Sequence, residues 1–154
     1  MIAVGQWKSA AAAFKMAVLF NPKYVQAHSR LSFSYYHEPN SEAAKKEALI
    51  ALALDPRDML SNLVLGVISY SRRDPRSSVV YFGHATPLAE RNPEALFDLA
   101  HISSYNHERE KAIEYVRKAA ELKSLSPADR FELGSLYDEL GNYQDEVTVF
   151  GHLC

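Results

Sequence analysis

The sequence predicts an all-α chain of antiparallel helix pairs, and three observations carry that expectation. First, four series of residues keep a spacing of 34 from end to end without insertion: Leu31, Leu65, Leu99 and Leu133; Ala17, Ala51, Ala85, Ala119 and Leu153; Ala10, Ala44, Ser78, Ala112 and Glu146; Phe14, Ala48, Phe82, Val116 and Phe150. A fixed period of this length is the mark of a repeat architecture. Second, the residue after each leucine of the first series is small: Ser32, Gly66, Ala100 and Gly134. Third, the spacing inside a unit is helical. Ala10, Phe14 and Ala17 share one helical face, as do Ala112, Val116 and Ala119, while Leu133, Gly134 and Tyr137 share a face of a different helix. Each unit therefore holds two helices, and its small residues let the two backbones approach closely.

Punctuation then places the elements in order. Helices are expected at roughly 5–20, 24–37, 41–54, 58–71, 75–86, 93–105, 108–123, 127–139 and 142–153. Asn21-Pro22 and Asp55-Pro56 stop helices, because the residue before a proline avoids the α region. Asp74-Pro75, Asn92-Pro93 and Ser126-Pro127 read as N-caps followed by a first-turn proline, whose missing N–H costs nothing there. Gly5 and Gly141 are assigned to the tight turns inside units. Ser77 to Phe82 could pass for a strand but falls in phase with helical counterparts. Pro87 should end or kink its helix near Thr86, since continuing through it costs about 3 kcal/mol; this makes the 59–92 unit either a weak joint or an irregular but rigid repeat. On Glu108 to Lys118, the Glu114–Lys118 pair is spaced to support its helix as an ion pair, unlike Glu110–Glu114.

Composition narrows the function. With 17 Lys plus Arg against 19 Asp plus Glu, the net charge of −2 gives no reason to expect nucleic acid or an acidic membrane surface. The Ala-rich run from Ser9 to Phe20 is interrupted by Lys15 and is shorter than a membrane span. The single cysteine, Cys154, precludes an intrachain disulfide and a thiolate metal cluster. No secretory leader is evident at Met1 to Gln6, which favours the cytoplasm. His37-Glu38 and His107-Glu108 lack the second histidine of a helical zinc motif, and there is no phosphate loop or nucleophile elbow. No catalytic residue, metal or cofactor is expected.

The 34-residue pattern resembles the tetratricopeptide repeat. Leu133-Gly134, Tyr137, Gly141, Tyr143 and Phe150 form its fullest match. Gly5, Trp7, Ala10, Phe14, Ala17 and Pro22 supply the second half of an earlier copy, with Tyr35, Ala44, Ala51 and Pro56 in the copy between. Ser69 departs from the pattern, which wants tyrosine there. The resemblance implies one right-handed α-solenoid over residues 1–154, with a partial repeat at 1–24 and repeats at about 25–58, 59–92, 93–126 and 127–154. Neither end carries the polar face of a terminal repeat, so the chain is expected to be an excerpt of a longer array or to have its ends covered by another subunit.

The resemblance further implies a non-catalytic scaffold whose first helices line a concave groove. Carried over, that groove takes Phe33, Tyr36 and His37 from the first such helix, and Leu60, Leu63, Val67 and Tyr70 from the second. Phe97, His101 and Tyr105 come from the third, and Phe131 from the last. Open to water, such a surface would be an apolar patch suited to a partner helix or peptide anchored by Leu, Phe or Trp. The acidic tails of heat-shock chaperones are not expected, because Lys, Arg and Asn do not line this face. Filling of the groove from within the chain, and self-association into an array, are the alternatives. A cluster of Arg72, Arg73, Asp74 and Arg76 is a further candidate contact for an acidic partner, or a solvated turn.

Overall fold

A computed structural model describes residues 4–123 and 125–141. Its helices are α1 Val4–Phe20, α2 Val25–His37, α3 Ser41–Leu54, α4 Met59–Ser71, α5 Pro75–His84, α6 Thr86–Ala89, α7 Pro93–Tyr105, α8 Arg109–Ala120 and α9 Pro127–Leu140. Among the described residues there is no strand. The fold is all-α, and Ser77 to Phe82 lies within α5. The helix expected at 142–153, with Tyr143, Glu146, Phe150 and Leu153, lies outside the described residues. Gly5 is not in a turn: it sits in the first turn of α1.

Termini form where the side chains dictate. Asp74, Asn92 and Ser126 each accept a hydrogen bond from a first-turn N–H, from Ser77, Ala95 and Asp129, with proline inside the start of each helix. Ser126 and Asp129 satisfy each other's backbone N–H groups, a reciprocal cap. Gly141 ends α9 at φ 71°, a conformation glycine adopts without a Cβ penalty. Arg109 donates from both Nε and Nη2 to the Leu140 carbonyl, 3.0 and 2.7 Å away, meeting the basic-group preference of a helix C-terminus. α5 stops at His84, three residues before Pro87, which takes a first-turn place in the one-turn α6.

The chain divides at that break into two compact units, Met1–Thr86 and Pro87–Cys154. In the first, α1 packs on α2, α2 on α3, α3 on α4 and α4 on α5, with α2 also meeting α4. Ala44, Ala48 and Ala51 are completely buried. Among the described glycines, close approach is tightest at Gly66, where an added Cβ would lie 2.6 Å from the Phe82 ring. Hydroxyls tie the same two register positions twice: Ser32 Oγ donates to Ala44 O at 2.7 Å, and Ser78 Oγ donates to Gly66 O at 2.8 Å. The donor has changed helix between copies. A second tie also repeats. His28 and Asn62 stand 34 apart, and each engages the carbonyl of the preceding turn proline, His28 Nε2 to Pro22 O at 2.7 Å and Asn62 Nδ2 to Pro56 O at 3.3 Å. The other His28 nitrogen meets Glu47 Oε2 at 2.7 Å.

The second unit packs α7 on α8 and α8 on α9, with α7 also meeting α9. Leu96, Phe97, Ala100, Ala112, Ile113, Val116, Leu133, Leu136 and Tyr137 form one buried apolar cluster. Ala100, Ala112 and Leu96 here occupy the positions that carry polar ties in the first unit. The Glu114–Lys118 pair forms at 3.5 Å, and Lys118 also donates to Glu90 at 3.0 Å.

Candidate functional site

In Met1–Thr86, α2 presents Phe33, Tyr36 and His37, all half-buried. Phe33 and Tyr36 pack against Ala44, Val64 and Ile68. Trp7 of α1 covers part of this face: its ring stacks on His37 at 4.2 Å and 9°, and meets Phe33 edge-on at 5.4 Å. Such aromatic pairs add about 0.5–1.5 kcal/mol beyond area burial. Some of the expected groove is thus filled from within the chain. Trp7 is the contributor that groove reasoning missed, although it stood in the repeat pattern itself. On α4, Leu60 and Tyr70 are half-buried, but Leu63 and Val67 are buried and do not lie open to water.

In Pro87–Cys154, Phe97 is only 6% exposed and belongs to the apolar cluster, so it too is core and not an open groove residue. A Phe97→Glu substitution would therefore bury a charge, and tests packing, not binding. Tyr105 at the end of α7 and Phe131 on α9 are the opposite case, 80% and 72% exposed. His101 is half-buried, and its Nε2 lies 3.0 Å from Glu132 Oε1. Asp98, one turn before, has its carboxyl pushed up to about 8 by burial, with the charges of Glu94 and Glu132 adding to the shift. At neutral pH it therefore holds its proton and can donate a hydrogen bond. Asp98, Glu94 and Glu132 make a carboxyl-rich strip between α7 and α9.

Among the described residues, no group of three His, Cys, Asp or Glu side chains could hold a metal ion, and no helix is long and apolar enough to cross a membrane.

Residues 93–124, covering α7 and α8, match the family model of the tetratricopeptide repeat. This segment is similar to a tetratricopeptide repeat. Solved structures extend the likeness of fold over 96% of the chain. The crystal structure of MamA matches with a TM-score of 0.66 at 20% identity, over 86% of that chain. A thermophilic tetratricopeptide protein of Thermus thermophilus, TTC0263, matches at 0.68 and 19% over 81% of its length. Pseudomonas aeruginosa PilF matches at 0.70 and 20% over 69%. No curated protein matches the sequence. Tetratricopeptide proteins are generally protein-interaction scaffolds and typically non-catalytic, with each repeat stacking on its neighbours to extend a binding surface.

Proposed function

We propose that this chain is a non-catalytic scaffold that holds a helix or peptide segment of another protein, and that the contacts are made by the first helices of its repeats. In Pro87–Cys154 the contact residues are His101, Tyr105 and Phe131, with Phe97 as the buried floor. In Met1–Thr86 they are Phe33, Tyr36, His37, Leu60 and Tyr70, underlain by Leu63 and Val67. The observation that carries this reading is the exposure of Tyr105 and Phe131. Large exposed aromatics are what interfaces enrich, because they bury much area with little loss of side-chain freedom. The adjacent Asp98, Glu94 and Glu132 favour a segment that flanks its apolar anchor with basic or hydrogen-bonding groups. Nothing in this chemistry calls for nucleic acid or for a chaperone's acidic tail.

The test is quantitative affinity capture from the source cell with wild type and a Tyr105→Ser, Phe131→Ser double variant. Both side chains stand in solvent, so folding should be unchanged by circular dichroism while capture of the specific partner falls. Equal capture by the two baits would refute the assignment of this face.

Self-assembly is the second reading, and Met16, Leu19 and Phe20 support it by standing exposed along α1. Sedimentation over a concentration series separates the two: a constant monomer supports the first, and species that grow with concentration support the second.

A further inference from the structure

The helices α3, α5 and α8 bury the same three register positions. Ser78, Phe82 and Ala85 of α5, and Ala112, Val116 and Ala119 of α8, are at most 2% exposed, as are their three counterparts in α3. The cover in every case is the first helix of the same repeat: α2 packs on α3, α4 on α5 and α7 on α8. Ala10, Phe14 and Ala17 of α1 hold these positions at the same spacing of 34, yet all three are only half-buried. α1 meets α2 with another side, where Trp7 lies against Phe33 and His37 and where Ala11 is buried. Ala13, Met16 and Phe20 continue the open side into solvent, with Phe20 86% exposed. The two charges of α1, Lys8 and Lys15, stand seven apart and by helical phase share the side away from Ala10, Phe14 and Ala17. The open face is thus apolar and lacks the helix that covers its three counterparts.

Size complementarity says what kind of helix fits. Phe14 repeats Phe82 two copies earlier, and the Phe82 ring is accommodated because Gly66 of α4 has no Cβ. Where this register holds the smaller Val116, the facing place holds Ala100. A phenylalanine here therefore calls for glycine on the covering helix. We infer that α1 is a docking site for an amphipathic helix of a partner protein, one that carries at its centre the Leu-Gly step of α4 and α9 and lays it across Ala10 and Phe14. A second copy of the chain has no such helix to offer from the described residues. Gly66 is filled by Phe82, and Gly134 of α9 is already buried. No residue of this face belongs to the groove residues assigned above, so it stands or falls independently of them.

The probe is a synthetic peptide with the sequence of residues 126–141, which brings its own N-terminal cap, Leu133-Gly134 and the C-terminal Gly141. It is titrated into the isotope-labelled whole chain and followed by amide NMR. The expected result is saturable shifts grouped on Ala10, Ala13, Phe14 and Ala17, with binding about tenfold weaker for a Gly134→Leu peptide, whose side chain meets the Phe14 ring. Ala10→Leu in the chain should weaken binding similarly without lowering the melting temperature. The peptide substitution leaves the chain untouched, so it decides the matter even where Ala10→Leu fails to fold. Shifts that are absent, that are equal for the two peptides, or that fall on α7 and α8 through displacement of α9 would overturn the inference. So would concentration-dependent association of the chain alone that Ala10→Leu removes, since a second copy would then be the occupant.

Discussion

The two units solve one packing problem with different chemistry. In Met1–Thr86 the close approaches between helices are tied by Ser32, Ser78, His28 and Asn62, each bonded to a main-chain carbonyl. In Pro87–Cys154 the matching places hold Ala100, Ala112 and Leu96, and an apolar cluster replaces the ties. The contrast extends to volume. Gly66 faces the large Phe82, whereas one repeat later Ala100 stands in the register of Gly66 and the smaller Val116 in that of Phe82. What the repeat holds constant is the distance between helices; which residue of a facing pair is large, or carries the hydroxyl, is free to change.

That comparison can be broken in four places. The largest effect is expected from Leu133→Ala in the apolar cluster, which should cost about 2–5 kcal/mol in urea unfolding because the cavity left behind has no polar contacts to relax around. Next is Gly66→Ala, which drives a methyl group into the Phe82 ring and should cost about 1–3 kcal/mol. The paired change Gly66→Ala with Phe82→Val copies Ala100 and Val116, and should recover most of that loss; additive destabilisation would show that the two positions do not share one volume. Smaller again is Ser78→Ala, at about 1 kcal/mol, since it leaves the Gly66 carbonyl without its donor.

The fourth is a pH effect confined to the second unit. Asp98 has an ordinary value of 3.8 in the unfolded chain and about 8 when folded, so between those values the native state holds a proton that the unfolded state has released. Stability contributed by this group is therefore fully present below 3.8 and is lost as pH rises toward about 8. Thermal unfolding followed across that range should show the decline in wild type and a flatter profile in Asp98→Asn. An unchanged slope in the variant would assign the effect elsewhere.

Most of the fold was legible in the sequence because it rests on two strong local signals. Helical phase at a constant period placed every helix within the described residues except the one-turn α6, and the Asp74, Asn92 and Ser126 caps followed from a short polar side chain before proline. Pro87 gave the break after α5. The binding face was harder to read. Leu63, Val67 and Phe97 lie near the boundary between the stripe that packs on a neighbouring helix and the stripe that does not, and a change of one position in phase carries a side chain from solvent into the core. The ties from His28 and Asn62 escaped because their partners are carbonyls, which leave no trace in side-chain identity. The spacing that links His28 to Asn62 and Pro22 to Pro56 was nevertheless present.

The central claim is that the exposed aromatic face of α7 and α9 receives a protein segment. Hydrogen–deuterium exchange on the chain alone and in complex with its captured partner tests this most directly. Slowed exchange in α7 and α9 that reaches Tyr105 and Phe131 is the predicted result. Protection restricted to α3, α5 and α8, with those two helices unchanged, would contradict it.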